Sequence, residues 1–356
     1  MNYDNLVTNK NFPLILNESS ITLSLVKEIM NMKKLNVTLA ILVAAVMAGN
    51  AQTTVNSDIV GYQTSTIPGK TTGASFFAFV PNNLSKPAIH TGSASAVGTL
   101  VTLSGAALTG TLGPVSGVPT HYLLVKSGTG AGYASDITAF TGDSVTTSDN
   151  LSASITAGTI VSVVPHQKLT DILGNASTVA IAGGASVSAA DSVYLADSTG
   201  TLKIYYYKTG IGAGWKTSSG ADASTTIVYP QEAIMVARKQ SSPVNVVTVG
   251  NVAGQDIKTP ITQNFNGIAS GVPMAMPLSS LQSTIAGGTS VSGADNVYTV
   301  NPTTGALEIF YYKTGIGAGW KTSAGANADA NKDISNGFLV KRRSSTTAMF
   351  TQSKTW

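Results

Sequence analysis

The chain has 356 residues, no cysteine and only 11% charged residues, with 21 lysines and arginines against 17 aspartates and glutamates. The formal net charge of +4 is small and scattered, so a basic face that binds nucleic acid is not expected. Without cysteine there are no disulfides, so the fold must be held by its core, by other non-covalent contacts or by ions.

The first recognisable element is an internal secretory signal at residues 32–51. Lys33 and Lys34 follow Met32, an apolar stretch runs to Ala48, and small residues occupy positions 49 and 51. This order is typical of a cleaved signal peptide. A transmembrane helix needs about 20 apolar residues, which is more than this stretch offers. We therefore expect contact with a membrane only during export, with an uncleaved anchor as the less favoured alternative.

Residues 1–31 precede this signal and show no targeting pattern. We interpret them as an over-called, disordered start, with Met30 or Met32 as the true initiator. The mature chain then begins near Gln52. The expected location is extracellular, at the cell surface or in the periplasm of a Gram-negative-type bacterium.

The next feature is an internal repeat. Residues 206–218 and 311–323 both read YYKTGIGAGWKTS. The similarity extends outward, since IAGGASVSAADSVY, ending at Tyr194, matches IAGGTSVSGADNVY, ending at Tyr298. KSGTGAGY at residues 126–133 indicates an earlier, diverged copy. Self-similarity of this kind predicts related structural modules.

Each copy has the composition of β-strands. TLKIYYYK at residues 201–208 and ALEIFYYK at residues 306–313 are rich in aromatic and β-branched residues. Helical periodicity is confined to single turns. We therefore predict an all-β chain of two to three related β-sandwich or partly open barrel modules in tandem, with short helical turns only. The predicted modules are a diverged N-terminal module at residues 52–157, a second module at 158–265, and its repeat at 266–356.

The order of several short motifs resembles a known family. Val60-Gly61-Tyr62 comes early, the tyrosine-rich strand and its Gly-Trp loop follow, an A-D-x-V-Y segment recurs, and G-F-L-V-K-R begins at Gly337. Together these resemble a family of secreted conserved hypothetical proteins found mainly in Verrucomicrobia and their relatives. The resemblance spans roughly residues 58–356. It implies a bacterial exported protein and implies no activity or catalytic residue.

The recurring aromatic residues are the first candidate binding site. Tyr206 and Trp215 recur as Tyr311 and Trp320. Alternate residues of a strand face opposite sides, so Tyr206 and Tyr311 should point away from their aromatic neighbours. One face is then core, and the other is an aromatic platform for sugar or protein. The alternative is that all of these rings serve packing alone.

A second candidate lies in GANADANKD, where oxygen-bearing side chains alternate: Asn327, Asp329, Asn331 and Asp333. This spacing would suit a hard cation such as calcium. The glycine and glutamate of an EF-hand loop are missing. A polar turn without any cofactor is therefore the favoured interpretation, and calcium is the alternative.

No catalytic motif is evident. His90, His121 and His166 are isolated from nucleophile or metal spacings, and Glu232 and Glu308 are the only glutamates after the signal. We therefore expect a non-enzymatic extracellular or cell-surface structural protein that self-assembles or contacts surface polysaccharide. One alternative is a carbohydrate-binding array that uses the Tyr/Trp platform. The other is a secreted hydrolase, which needs carboxylates or histidine converging in a pocket.

Overall fold

A computed structural model describes residues 59–353, apart from residues 72, 74 and 272–274. The predicted signal and the segment before it lie outside the described residues. The fold is all-β, as predicted. The strands are β1 (Val60–Ile67), β2 (Phe76–Pro81), β3 (Leu84–Ser85), β4 (His90–Val97), β5 (Leu100–Leu103), β6 (His121–Val125), β7 (Ala134–Thr141), β8 (Ser144–Thr147), β9 (Thr159–Pro165), β10 (Gln167–Lys168), β11 (Ser192–Ala196), β12 (Leu202–Lys208), β13 (Gly214–Thr217), β14 (Ile227–Val228), β15 (Ala233–Arg238), β16 (Val244–Val252), β17 (Ile257–Ile261), β18 (Asn264–Ile268), β19 (Asn296–Val300), β20 (Leu307–Lys313), β21 (Gly319–Thr322), β22 (Phe338–Arg342) and β23 (Ala348–Gln352).

Among the described residues, helical structure is limited to single turns. They are α1 (Leu169–Ile172) and two 3-10 turns, Ala176–Thr178 and Leu278–Leu281. Within the described part of the chain, no helix is both long enough and apolar enough to cross a membrane.

Two repeats share one architecture. The first has a five-stranded sheet in the order β13-β12-β11-β15-β2, and the second has the matching order β21-β20-β19-β22-β18. A smaller sheet covers one face of each, built on β1 and β16 in the first repeat and on β17 and β23 in the second. Each repeat is therefore a two-layered sandwich with its own apolar core.

Strand alternation explains how each five-stranded sheet buries both faces. In β12, Tyr205 and Tyr207 pack into the core of the first repeat, while Leu202 points to the opposite face. That opposite face meets the second repeat through a third apolar cluster, which includes Phe79, Met235 and Leu339. Because both sides of the sheet are covered, the strands read as nearly continuous apolar runs.

The two repeats meet around an approximate two-fold axis. The backbone N–H of Phe77 donates to Gly305, and the equivalent N–H of Phe265 donates to Gly200, both over 3.0 Å. The neighbouring aromatic pairs are also equivalent, because Phe77 contacts Tyr194 as Phe265 contacts its counterpart. Such reciprocal contacts are the mark of two-fold symmetry.

A closed barrel of six strands, in the order β4-β5-β8-β7-β6-β9, is inserted into the first repeat. It leaves the repeat after β3 and returns at β10. Its interior is filled by apolar side chains such as Val101, Leu123, Ile137 and Val161, as a barrel of this size requires. The second repeat has no strand at the equivalent position within the residues described.

Sheet pairing corrects the predicted module boundaries. Strands β1–β3, assigned to the module at residues 52–157, pair with strands of the first repeat. Strands β17 and β18, assigned mostly to residues 158–265, pair with strands of the second repeat. The segment at 126–133 joins β6 and β7 of the barrel, whose strand order differs from that of the repeats. The insertion and sequence divergence hid these relationships.

Candidate functional site

A cleft opens where the barrel meets both repeats. It consists of two cavities of about 290 and about 380 Å³, which share Asp136, Asp149 and Tyr229 among their lining residues. Asp136 comes from β7 of the barrel, Tyr229 from the first repeat, and Pro260 from β17 of the second. We call this the barrel-side cleft. It exists only because three parts of the fold come together.

The loop between β14 and β15 forms one wall of the barrel-side cleft and is specific to the first repeat. Four residues, 229–232, separate the buried Val228 from Ala233. Only two separate the buried Ile334 from Gly337, the equivalent positions of the second repeat by strand register. The first repeat therefore carries two residues that the second lacks, in a loop that lines the cleft.

Tyr229 is fixed at its hydroxyl end and open on its ring. The hydroxyl donates to Asp136 Oδ2 over 3.3 Å, and the residue as a whole is 39% exposed. The other oxygen of Asp136 accepts from His166 Nε2 over 3.0 Å. Burial, with the neighbouring Asp136 charge, raises the pKa of Tyr229, so its hydroxyl remains a neutral donor.

His166 supports this arrangement from the linker between β9 and β10. Its ring is buried and meets Tyr229 edge to face, with 5.4 Å between ring centroids. Its Nδ1 atom is buried without a hydrogen-bond partner among the described residues. A buried polar atom without a protein partner calls for a structural explanation, and His166 is among the residues that line the smaller of the two cavities.

Glu232 supplies an uncharged acid to the same wall. It is only 7% exposed, and its Oε2 accepts the backbone N–H of Tyr229 over 2.9 Å. Burial raises the pKa of Glu232 to about 8 despite this hydrogen bond. Its carboxyl group is therefore protonated at neutral pH and able to donate a hydrogen bond.

Two further carboxylates border the barrel-side cleft. Asp149 accepts hydrogen bonds from Ser135 Oγ at 2.7 Å and Ser148 Oγ at 3.3 Å. Asp197 is held in a turn, where the Thr199 hydroxyl and nearby backbone N–H groups lower its pKa to about 2. The barrel-side cleft therefore presents fixed acceptors, a neutral acid and an open aromatic ring.

The approximate two-fold axis relates this cleft to a second one of about 570 Å³, which we call the opposite cleft. Its lining includes Phe77, Thr299 and Lys332, with Asp333 as the sole carboxylate among the lining residues described. Asp197 on the barrel side corresponds in register to Asn301. The two clefts share one scaffold and differ in chemistry, which points to specialisation of the barrel side.

The predicted aromatic platform is not on the surface. Trp215 and Trp320 are buried, and each meets a tyrosine of its own core edge to face. Tyr206 and Tyr311 do lie on the other side of their strands, but they are buried as well. The prediction failed because it assumed one open face, whereas each five-stranded sheet is covered by its smaller sheet on one face and by the other repeat on the opposite face.

The four predicted cation ligands lie in the turns before β22: Asn327, Asp329, Asn331 and Asp333. Lys321 Nζ donates to the side-chain oxygen of Asn327, which places a positive charge where the cation would bind. Asp333 accepts the backbone N–H of Met276 at 3.1 Å and of Ser335 at 2.9 Å. These oxygens serve as turn acceptors. Within residues 59–353 as described, no three His, Asp or Glu side chains group closely enough to hold a metal ion.

Comparisons with protein-family models, curated proteins and solved structures give no significant match. The resemblance to the Verrucomicrobia family therefore stays a prediction, and function has to be argued from the site.

Sequence reasoning missed Asp136, Tyr229 and Glu232 as a group, because they come from separate parts of the chain. One signal was available. Aligning the two repeats shows the longer loop at residues 229–232 in the first copy.

Proposed function

We propose that this protein is an exported, non-enzymatic binding protein whose barrel-side cleft takes a short carbohydrate. The observation that carries the proposal is the open ring of Tyr229, held by Asp136 in a cavity lined with fixed hydrogen-bonding groups. The export signal predicted at residues 32–51 would bring this cleft to polysaccharides outside the cell.

The chemistry of the cleft matches the chemistry of a sugar. A pyranose has an apolar face that packs on an aromatic ring and a rim of hydroxyls that need both acceptors and donors. Tyr229 offers the ring, Asp149 offers acceptors, and neutral Glu232 offers a donor. The volume is in the range of small-molecule sites. The ligand expected from these dimensions is one or two sugar units at the end of a chain.

The strongest test is to remove the aromatic surface and leave the rest of the cleft. Tyr229→Ala should weaken binding of the best glycan found on an array by at least about tenfold, since an aromatic ring contributes roughly 1.5–3 kcal/mol of apolar burial. Titration calorimetry measures the change. Tyr62→Ala is the matched control, because Tyr62 is 79% exposed on β1, away from the cleft lining. Equal binding by both variants would rule out the barrel-side cleft.

The hydrolase alternative makes a separate prediction from the same residues. A neutral Glu232 could protonate a glycosidic oxygen if a second carboxylate activated water. Incubation of the bound glycan with the protein, followed by chromatography of the products, tells the two apart. Release of shortened glycan, abolished in Glu232→Gln, would replace the binding proposal with a hydrolytic one.

Self-association is the second candidate, favoured by the outer face of β1 and β16. Val60, Tyr62, Val247 and Val249 point outward from these paired strands and are all exposed. Among the described strands β1 pairs only with β16, and its sequence VGYQTSTI carries no charge to protect the free edge. An uncharged, apolar edge strand is suited to pairing with the same strand of a second copy.

Light scattering over a concentration series tests this candidate. Wild-type protein should form dimers or larger species, and Tyr62→Lys should shift it toward monomer by placing charge on the pairing face. Tyr229→Ala is the matched control here and should associate like wild type. A wild-type protein that remains monomeric at high concentration would refute the candidate.

A further inference from the structure

The longest identical stretch shared by the two repeats contains a surface loop. Residues 206–218 and 311–323 are identical over thirteen positions, although the strands leading into them already differ, as LKIYYYK against LEIFYYK. Duplicated segments diverge unless both copies carry the same constraint. Part of this stretch is core, because Trp215 and Trp320 are buried. The loop between the strands is not core.

Each loop presents one isoleucine at its tip. Ile211 is 96% exposed and Ile316 is 97% exposed. Each lies between two glycines with positive φ, at 76° and 70° in the first copy and 75° and 69° in the second. Glycine permits this backbone at no steric cost, which accounts for the glycines. It does not account for the isoleucine, since a polar residue would suit the same turn.

One lysine lies beside each tip. Lys208 begins the first loop, and its Nζ lies 3.8 Å from where a Cβ on Gly212 would be; Lys313 is placed in the same way over the second loop. Lys216, across the hairpin, is only 18% exposed at its side chain and is paired with Asp222 over 3.5 Å. Each tip therefore has an aliphatic apex and a basic rim formed by this one lysine.

From these observations we infer that both loops bind a lipid bilayer that carries anionic headgroups. Ile211 and Ile316 insert into the boundary between headgroups and acyl chains, and the lysine beside each tip pairs with lipid phosphates. An apolar apex with a basic rim is the combination that interfacial binding needs.

Two features favour a bilayer over a protein or a glycan. Two identical tips on one molecule match a partner that offers the same site repeatedly, as a membrane does. A single aliphatic side chain on a glycine loop also suits a fluid apolar layer, whereas a sugar face packs on aromatic rings. This inference departs from our expectation that the protein meets a membrane only during export. It does not depend on the barrel-side cleft.

Vesicle flotation tests the inference. The purified protein should float with phosphatidylglycerol-containing vesicles at 50 mM salt and less at 500 mM, because salt screens the lysine contacts. Ile211→Ser and Ile316→Ser should each reduce partitioning by about tenfold, as expected for one buried aliphatic side chain. The double variant should remain with the soluble fraction.

Val97→Ser is the matched control, because Val97 is an exposed aliphatic residue on the barrel, outside both loops. It should float like wild type. The inference is overturned if wild-type protein does not bind anionic vesicles at low salt, or if the double variant binds as wild type does. All of these changes affect exposed side chains, so folding should be unaffected, and near-UV circular dichroism of the buried tryptophans checks this.

Discussion

Replacing Glu232 by glutamine should change how the stability of the protein depends on pH. The carboxyl group is almost fully buried, and its Oε2 accepts the backbone N–H of Tyr229. Burial raises its pKa from an ordinary value of 4.5 to about 8. The folded state therefore holds a proton that the unfolded state releases at a lower pH.

The direction and magnitude of the change in unfolding free energy follow from this difference in pKa. Between pH 4.5 and 8 the unfolded state ionises while folded Glu232 stays protonated, so the wild type loses stability as pH rises. At 1.36 kcal/mol for each pH unit, the loss is about 3 kcal/mol at pH 7 and approaches roughly 5 kcal/mol above pH 8. Glutamine resembles the protonated acid and does not titrate. Glu232→Gln should match the wild type near pH 4.5 and exceed it by these amounts at higher pH.

Urea unfolding at intervals from pH 4.5 to pH 9, followed by tryptophan fluorescence, measures the difference. Glu308→Gln is the control, because its effect on stability at neutral pH should be opposite in sign to that of Glu232→Gln. Partial burial disfavours ionisation of Glu308, but hydrogen bonds from Lys332 and Asn301 outweigh it and lower its pKa. Its charge therefore stabilises the fold above the unfolded pKa, and Glu308→Gln should weaken the protein at neutral pH. A difference between Glu232→Gln and wild type that does not vary with pH would refute the reasoning.

Two further predictions use equivalent or matched positions. Trp215 Nε1 donates to a backbone carbonyl over 2.8 Å, whereas Trp320 Nε1 is buried without a partner among the described residues. Trp215→Phe should therefore destabilise the protein by about 1–2 kcal/mol more than Trp320→Phe in urea unfolding, and equal losses would contradict this. Gly305 and Gly98 both have positive φ, at 69° and 65°. A Cβ on Gly305 would lie 2.4 Å from the phenylalanine ring that begins β2, whereas a Cβ on Gly98 would face open space. Gly98→Ala should destabilise the protein by about 1 kcal/mol through backbone strain alone, and Gly305→Ala should lower the melting temperature clearly more. Similar melting temperatures for the two variants would show that the repeats do not pack closely at Gly305.

The sequence predicted some features of the two repeats and missed others. The identical segments ending at Ser218 and Ser323 form matching strands of the two five-stranded sheets, because the core of each sandwich needs the same tryptophan and tyrosines. The first two strands of each copy were assigned to the wrong modules. Strands β2 and β18 occupy equivalent places but share little sequence, as FFAFVP against NFNGI. At the interface between the repeats, β2 contributes bulky aromatic rings where β18 contributes a glycine.

The aromatic prediction assumed an exposed surface, whereas all four rings are buried. Alternation along β12 and β20 correctly placed Tyr206 and Tyr311 opposite their neighbours. Whether a strand face is open depends on what packs over it, and that packing joins residues distant in sequence. The same limit hid the barrel-side cleft, whose Asp136 and Tyr229 are 93 residues apart.

The sequence alone determined the local and repeated properties of this protein. Strand composition, turn glycines and the tandem identity specify an all-β chain with duplicated units, because propensity and periodicity act over a few residues. Only the tertiary structure decided that a closed barrel is inserted in the first unit, that the two units pack around an approximate two-fold axis, and that carboxylates meet an open tyrosine beside the barrel. Those outcomes depend on contacts between residues far apart in the chain, and no short pattern records them.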